Sequence, residues 1–201
     1  HPHCPRSSQV STTQTIGFVG LGTMGGQMAR RLAASGYRVT GYDVNPDRAG
    51  AAREGGVTLA ASPAGAAASA DIVLSSLPDP DTVRRAYLGA DGVLSTARRG
   101  TTLVDVSTID PDTWREVAAA AQARGVDCLD APVSGGPTEA GSGKLVFLIG
   151  GDPAVLERCR PVLLTLGTDL HHVGALGSGQ VVKIVNNVMS MGNVAIAAEA
   201  M

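Results

Sequence analysis

Four features of this sequence have the residue types and spacing to do chemistry: a glycine-rich turn, an acid beyond it, a lysine, and an asparagine one helical turn after that lysine. Gly20-Leu21-Gly22-Thr23-Met24-Gly25 follows the apolar run Ile16-Gly17-Phe18-Val19 and opens a helical stretch. In G-x-G-x-x-G the first glycine permits a tight turn and the second lets the backbone approach a pyrophosphate. The third lets the helix pack closely on the strand. Phosphate oxygens then meet N–H groups at a helix N-terminus, where the dipole favours negative charge. Asp43 ends the next strand-like run, about 20 residues further on, where an acid accepts hydrogen bonds from adenosine ribose hydroxyls. A carboxylate there repels a 2′-phosphate, so NAD is expected ahead of NADP, with Arg48 close by as a counterweight. The chain has 26 glycines, so the strand before the motif, the helix after it and the acid beyond give it its meaning.

Lys183 and Asn187 are four residues apart and share one helix face. A lysine whose pKa is lowered by burial can take or give the proton in alcohol–carbonyl chemistry. It can equally snorkel to solvent from an apolar surface. The surrounding helix is apolar on nearly every face, so a polar pair there needs partners. Ser134-Gly135-Gly136 follows another strand-like run; such a turn taken alone is more often a loop, and its place at the carboxyl end of a parallel strand, where ligands bind, shifts that balance toward a site. Other chemistries fail on spacing. No G-x-S-x-G occurs, and Gly143-Lys144 is followed by Leu145 without the upstream glycine of a P-loop. No His, Cys and carboxylate cluster has the spacing of a metal site, and His171 and His172 read as structural or solvent-facing residues of a late strand.

The elements that must position these groups alternate. Strands are expected at 15–20, 38–43, 71–77, 102–106, 126–131, 144–149 and 170–173, and helices at 24–35, 63–70, 79–88, 111–124 and 153–166. The pattern predicts an α/β fold: a Rossmann-type, doubly wound, mostly parallel sheet of βαβ units, with the small-residue helix at 63–70 packed close to it. Residues 1–14 read as a disordered leader and 15–175 as the dinucleotide-binding domain. Residues 176–201 read as the first long helix of an all-α second domain cut short at Met201. A hydrophobic content of 44% with 17% charged residues suits a globular protein, and a net charge of −2 gives no footprint for nucleic acid or an anionic membrane. No apolar run of about 18 residues lacks a charge, so no membrane span is expected. Cys4, Cys128 and Cys159 are odd in number and widely spaced, which argues against zinc and disulfides and for a reducing, cytoplasmic compartment.

Three further stretches carry a resemblance. They are Asp105-Val106-Ser107-Thr108, Asp130-Ala131-Pro132-Val133-Ser134-Gly135-Gly136, and the run from Gly174 to Asn187 that enters the long helix. With the glycine turn and Met28-Ala29 they resemble, in order and spacing, the β-hydroxyacid dehydrogenases, the family of 3-hydroxyisobutyrate dehydrogenase and tartronate semialdehyde reductase. The resemblance runs from about residue 15 to the end. It implies an NAD(P)-dependent oxidoreductase that interconverts a small 3-hydroxy acid and its semialdehyde. Gly20, Leu21, Gly22, Thr23, Met24, Gly25 and Asp43 would bind the cofactor, with Leu77 and Pro78 in a cofactor-side loop, Ser107 and Thr108 on the nicotinamide side, and NAD as the cofactor (NADP as the alternative). Ser134, Gly135 and Gly136 would hold the substrate carboxylate, Lys183 would be general acid and base, and Asn187 would hold the ammonium or the substrate hydroxyl. The resemblance also implies a homodimer or homotetramer built through the helical domain, with no nucleic-acid or membrane partner. Two rival readings are an imine reductase on the same scaffold, which usually lacks a lysine at the catalytic position, and a truncated, non-catalytic cofactor-binding module.

Overall fold

A computed structural model describes residues 14–200; Cys4 and all of the expected leader except Gln14 lie outside the described residues. The chain runs β1 (Thr15–Val19), α1 (Gly25–Ala34), β2 (Arg38–Tyr42), α2 (Pro46–Glu54), β3 (Thr58–Leu59), α3 (Pro63–Ala67), β4 (Ile72–Ser75), α4 (Pro80–Leu88) and α5 (Val93–Thr96). It continues through β5 (Thr102–Asp105), α6 (Pro111–Gln122), β6 (Asp127–Asp130), β7 (Val133–Ser134), α7 (Pro137–Ser142), β8 (Leu145–Gly151), α8 (Pro153–Leu166), β9 (Gly167–Gly174) and α9 (Ser178–Glu199). Five of the helices start alike. Asn45, Ser62, Asp79, Asp110 and Asp152 each cap the first turn through the side chain, and a proline follows each cap. The cap satisfies an orphan N–H, and proline at the first helical position gives up an N–H that has no helical partner. The Asn45-Pro46 pair therefore marked α2, which the apolar periodicity did not reveal because only Ala52 of that helix is buried.

The strands form one sheet in the order β3-β2-β1-β4-β5-β6-β8-β7, with β9 paired to β8. From β3 to β6 all pairings are parallel; β8 runs antiparallel to β6 and β7 and parallel to β9. The mostly parallel, doubly wound sheet matches the expectation. Its central strands are apolar on both faces because helices cover both. Ile72, Leu74 and Val104 face a core with Phe18, Met28, Leu32 and Phe147. Val73 and Leu103 face the opposite core with Tyr87, Trp114 and Val117. The Ala-rich α3 lies close against β1: a Cβ added at Gly17 would come within 2.6 Å of the Ala66 carbonyl oxygen.

Helix α9 departs from the apolar-all-round reading in a specific way. Val181, Val182, Ile184, Val185, Val188, Met189, Met191, Val194 and Ile196 are exposed, while Gln180 is fully buried and Lys183 and Asn187 are half-buried. Residues 180, 183 and 187 fall on one helix face. The helix thus turns its polar stripe toward the sheet and its apolar faces outward. By length and composition it is the one described helix long and apolar enough to cross a membrane, with Lys183 within it.

Trp114 is fully buried, edge-on to Tyr87 with ring centroids 5.2 Å apart, and its indole N–H has no hydrogen-bond partner. Truncating a buried Trp costs about 3–5 kcal/mol, whereas an orphan buried donor carries its own penalty of about 1–3 kcal/mol. Denaturant unfolding should therefore show Trp114→Ala losing about 3–5 kcal/mol and Trp114→Phe losing far less, about 1 kcal/mol.

Candidate functional site

The strand order reverses between β1 and β4, and ligands of open α/β sheets bind outside the carboxyl ends of strands at such a switch point. The glycine turn leaves β1 there, and Leu77 and Pro78 leave β4 beside it. Gly20 has φ +90°, and a Cβ on it would sit 2.3 Å from the Ser76 carbonyl oxygen. A Cβ on Gly25 would sit 1.9 Å from the Gly20 carbonyl oxygen, so only glycine lets α1 start this close to the turn. Gly22 differs: a Cβ there would have only the Arg48 guanidinium within 4 Å, at 3.6 Å. Its missing side chain leaves open space for a ligand rather than room for the fold. Met24, at the start of α1, supplies no side-chain cap. Space over Gly22 and an uncapped helix start fit a dinucleotide pyrophosphate.

Asp43 follows β2 and fastens this turn. Its Oδ2 accepts from the Leu21 N–H at 2.7 Å and its Oδ1 from the Asn45 N–H at 2.8 Å. The Leu21 side chain is core, and its amide is committed to Asp43, so of the expected cofactor residues Leu21 offers no free donor. Each Asp43 oxygen keeps a lone pair for a ribose hydroxyl.

Further along the same edge, the register places Val19, Ser75, Asp105 and Asp130 side by side across four strands. Asp105 is fully buried, and no salt bridge reaches it among the described residues. Its Oδ1 accepts from the Ser75 and Ser107 hydroxyls, both at 2.6 Å. Tyr87 donates to Ser75 at 2.7 Å, and the Leu77 N–H donates to Ser107 at 2.8 Å. Burial pushes the Tyr87 hydroxyl well above its ordinary range, so it remains a donor. The donors in this run of hydrogen bonds, Tyr87 to Ser75 and Leu77 to Ser107, leave both serine hydroxyls to donate to Asp105 Oδ1. Ser107 is thus consumed in holding the Leu77 turn, while Thr108 is exposed at the rim.

Ser134 and Gly135 lie at the rim of the same edge, beyond β6. The Gly136 N–H is already engaged, donating to Glu139 Oε2 at 2.8 Å, and this bond holds the Glu139 carboxyl below its ordinary range. The sequence reading missed that internal carboxylate; the Gly136-Pro137 start of α7 and a glutamate three residues on were its signal. Lys183 is half-buried on α9, and burial lowers its pKa. His172 lies apart on β9, its Nε2–H donating to the Gly151 carbonyl at 2.8 Å, and His171 is exposed. Cys128 and Cys159 are free thiols that burial pushes up to about 12 and about 11, values that leave them inert.

The chain matches the family described as the NAD binding domain of 6-phosphogluconate dehydrogenase over residues 15–174. It is 39% identical to a probable mitochondrial 3-hydroxyisobutyrate dehydrogenase of Dictyostelium discoideum, across 92% of this chain and 57% of the relative. A solved structure of Mycobacterium tuberculosis 3-hydroxyisobutyrate dehydrogenase with L-serine superposes with a TM-score of 0.87 at 42% identity, covering 92% of this chain and 63% of that one. An imine reductase variant from Myxococcus stipitatus in complex with NAD+ superposes with a TM-score of 0.85 but at 26% identity, over 93% and 64% of the two chains. The chain thus spans about three fifths of the length of these relatives.

Two outcomes follow from the geometry. Gly22→Ala should leave the melting temperature nearly unchanged and weaken NADH binding at least about tenfold by fluorescence titration, because the methyl group enters ligand space. Burial, partly offset by the hydrogen bonds from Ser107 and Ser75, holds the Asp105 carboxyl at about 6. An unfolded Asp titrates near 3.9, so between about pH 4 and pH 6 the folded chain holds more protons than the unfolded one and its stability falls as pH rises. Relative to Asp105→Asn, the wild type should lose up to about 3 kcal/mol over that window in denaturant unfolding and stay level above it.

Proposed function

The chain belongs to the family of the NAD binding domain of 6-phosphogluconate dehydrogenase, and on that premise we propose that it is the cofactor-binding and catalytic-lysine portion of an NAD(P)-dependent β-hydroxyacid dehydrogenase. The observation that carries this reading is the inward polar stripe of α9. In an otherwise apolar and exposed helix, Lys183 and Asn187 are the half-buried residues on the face of the fully buried Gln180, with burial lowering the pKa of the lysine. NAD bound over the glycine turn supplies hydride acceptance or donation at its nicotinamide ring.

The side chains then have separable tasks. Ser134 and the Gly135 N–H hold the carboxylate of a small 3-hydroxy acid at the carboxyl edge of β6. Lys183, as the free amine, takes the hydroxyl proton during oxidation and returns it to the carbonyl oxygen during reduction of the semialdehyde. Asn187 orients the ammonium or the hydroxyl. Gly136 takes part only if the Glu139 carboxylate moves off its N–H. Asp43 favours NAD over NADP, with the Arg48 guanidinium over Gly22 as the group that admits some NADP.

Residues 15–175 form the dinucleotide domain in this proposal, and α9 is the first helix of an all-α second unit. The relatives extend well beyond the matched length, and the exposed Val, Ile and Met faces of α9 are of the kind that packing helices of such a unit cover. That helical unit would build a homodimer or homotetramer in a reducing, cytoplasmic compartment. An imine reductase is the weaker alternative, since those neighbours stand at lower identity and a lysine and a Ser-Gly-Gly turn suit a hydroxy acid better than an imine.

Absorbance at 340 nm should report turnover of 3-hydroxyisobutyrate, glycerate or 4-hydroxybutyrate with NAD, faster than with NADP. Lys183→Ala should lower kcat by at least about 100-fold and leave NAD affinity within about twofold. Because burial lowers the lysine pKa, the oxidation rate should rise with pH and level off below the ordinary lysine range of about 10.4. Retained turnover in Lys183→Ala would sink the catalytic assignment, and equal rates with both cofactors would sink the reading of Asp43.

A further inference from the structure

Helix α9 lacks an N-terminal cap of its own. Its first residue is preceded by Gly177 in the left-handed conformation, which has no side chain to offer. The cap comes instead from the sheet. Asp130, fully buried at the end of β6, accepts the Gly177 N–H on Oδ1 at 2.7 Å and the Gln180 N–H on Oδ2 at 3.0 Å. Gly179 makes this approach possible, since a Cβ there would lie 2.3 Å from the Leu148 carbonyl oxygen and 2.8 Å from Asp130 Oδ2.

The side chain of Gln180, also fully buried, carries the connection onward. Its Oε1 accepts from the Ile109 N–H at 3.1 Å, and its Nε2 donates to the Ser107 carbonyl at 2.9 Å, with Asp105 Oδ2 at 3.5 Å. Ser107 in turn holds the Leu77 amide. An unbroken path of hydrogen bonds therefore joins the Leu77 turn, the 107–109 loop, the end of β6 and the first turn of α9. Lys183 stands three residues beyond Gln180, just under one helical turn, on the same face.

We propose that Asp130 and Gln180 are positioning residues for the reaction: Asp130 caps α9 from the sheet, and Gln180 locks the helix to the cofactor-side loops, so that together they fix where the Lys183 amine stands. This rests on the catalytic assignment of Lys183 made above. Neither residue lines the glycine turn, so each should affect placement of the lysine and not capture of the dinucleotide.

The test compares wild type, Asp130→Asn and Gln180→Met in the full chain, with circular dichroism and NADH titration establishing that each is folded. Gln180→Met fills the same space without its polar bonds and serves if Asp130→Asn fails to fold. The expected result is a kcat lowered about 10- to 100-fold, the penalty of a misplaced catalytic group, with NADH affinity within about threefold of wild type. Amide exchange over residues 177–183 should accelerate at least about tenfold. The pH midpoint for acylation of Lys183, read by mass spectrometry, should rise toward the ordinary lysine value as the amine leaves its half-buried place. Unchanged kcat in the folded variants overturns the proposal even if exchange accelerates. If the wild type turns over none of the hydroxy acids, the functional reading fails by itself. The exchange and acylation midpoints then decide the positioning claim, and unchanged values in both overturn it.

Discussion

Buried carboxylates without cations impose the constraint on which this structure depends. Asp105 and Asp130 stand side by side at the ends of β5 and β6, both fully buried, with no salt bridge to either among the described residues. A charge in that position is tolerated only when hydrogen-bond donors surround it. The donors come from elsewhere in the chain: hydroxyls of Ser75 and Ser107 for Asp105, and amides of Gly177 and Gln180 for Asp130. Asp43, half-buried past the end of β2, follows the same rule with the amides of Leu21 and Asn45. At each of these strand ends a carboxylate fixes a loop or helix start that the proposed site uses.

The arrangement accounts for the unusual orientation of α9. A largely apolar helix would ordinarily bury its Val and Ile side chains against the sheet. Here Asp130 holds its first turn and Gln180 reaches inward, so the polar face is the one that meets the domain. Lys183 and Asn187 follow onto that face by helical periodicity alone. The apolar faces are left outward, available to the all-α unit proposed for this family member. The raised Asp105 carboxyl and the outward Val, Ile and Met side chains of α9 stand at the two ends of this arrangement, which on the proposed function serves to place Lys183.

Much of this was legible in the sequence. The strand–glycine–helix context identified the dinucleotide turn, and β–α alternation gave the sheet its parallel core, with α8 assigned to its observed bounds. What stayed hidden was of two kinds. Short or mostly exposed elements (α2, β3, α5, β7 and α7) bury too few side chains to leave a periodic signal. Side-chain commitments were the other kind. The bond from Gly136 to Glu139 had a local signal in the Gly-Pro-x-Glu start of α7, but nothing in Gln180 announces a path to Ser107, 73 positions earlier in the chain. Such bonds depend on which strand ends lie adjacent, which is a property of sheet order and not of local sequence. A glutamine and two aspartates set among apolar residues were the available hint, because buried polar groups must find partners.

The most direct test of the account is a crystal structure of the chain with NAD+ and 3-hydroxyisobutyrate bound. The account predicts the pyrophosphate over Gly22 at the start of α1 and the substrate carboxylate on Ser134 and the Gly135 amide. The substrate hydroxyl should lie within about 3 Å of Lys183 Nζ. A ternary complex in which dinucleotide and hydroxy acid are bound but the Lys183 amine points away from the hydroxyl would contradict it.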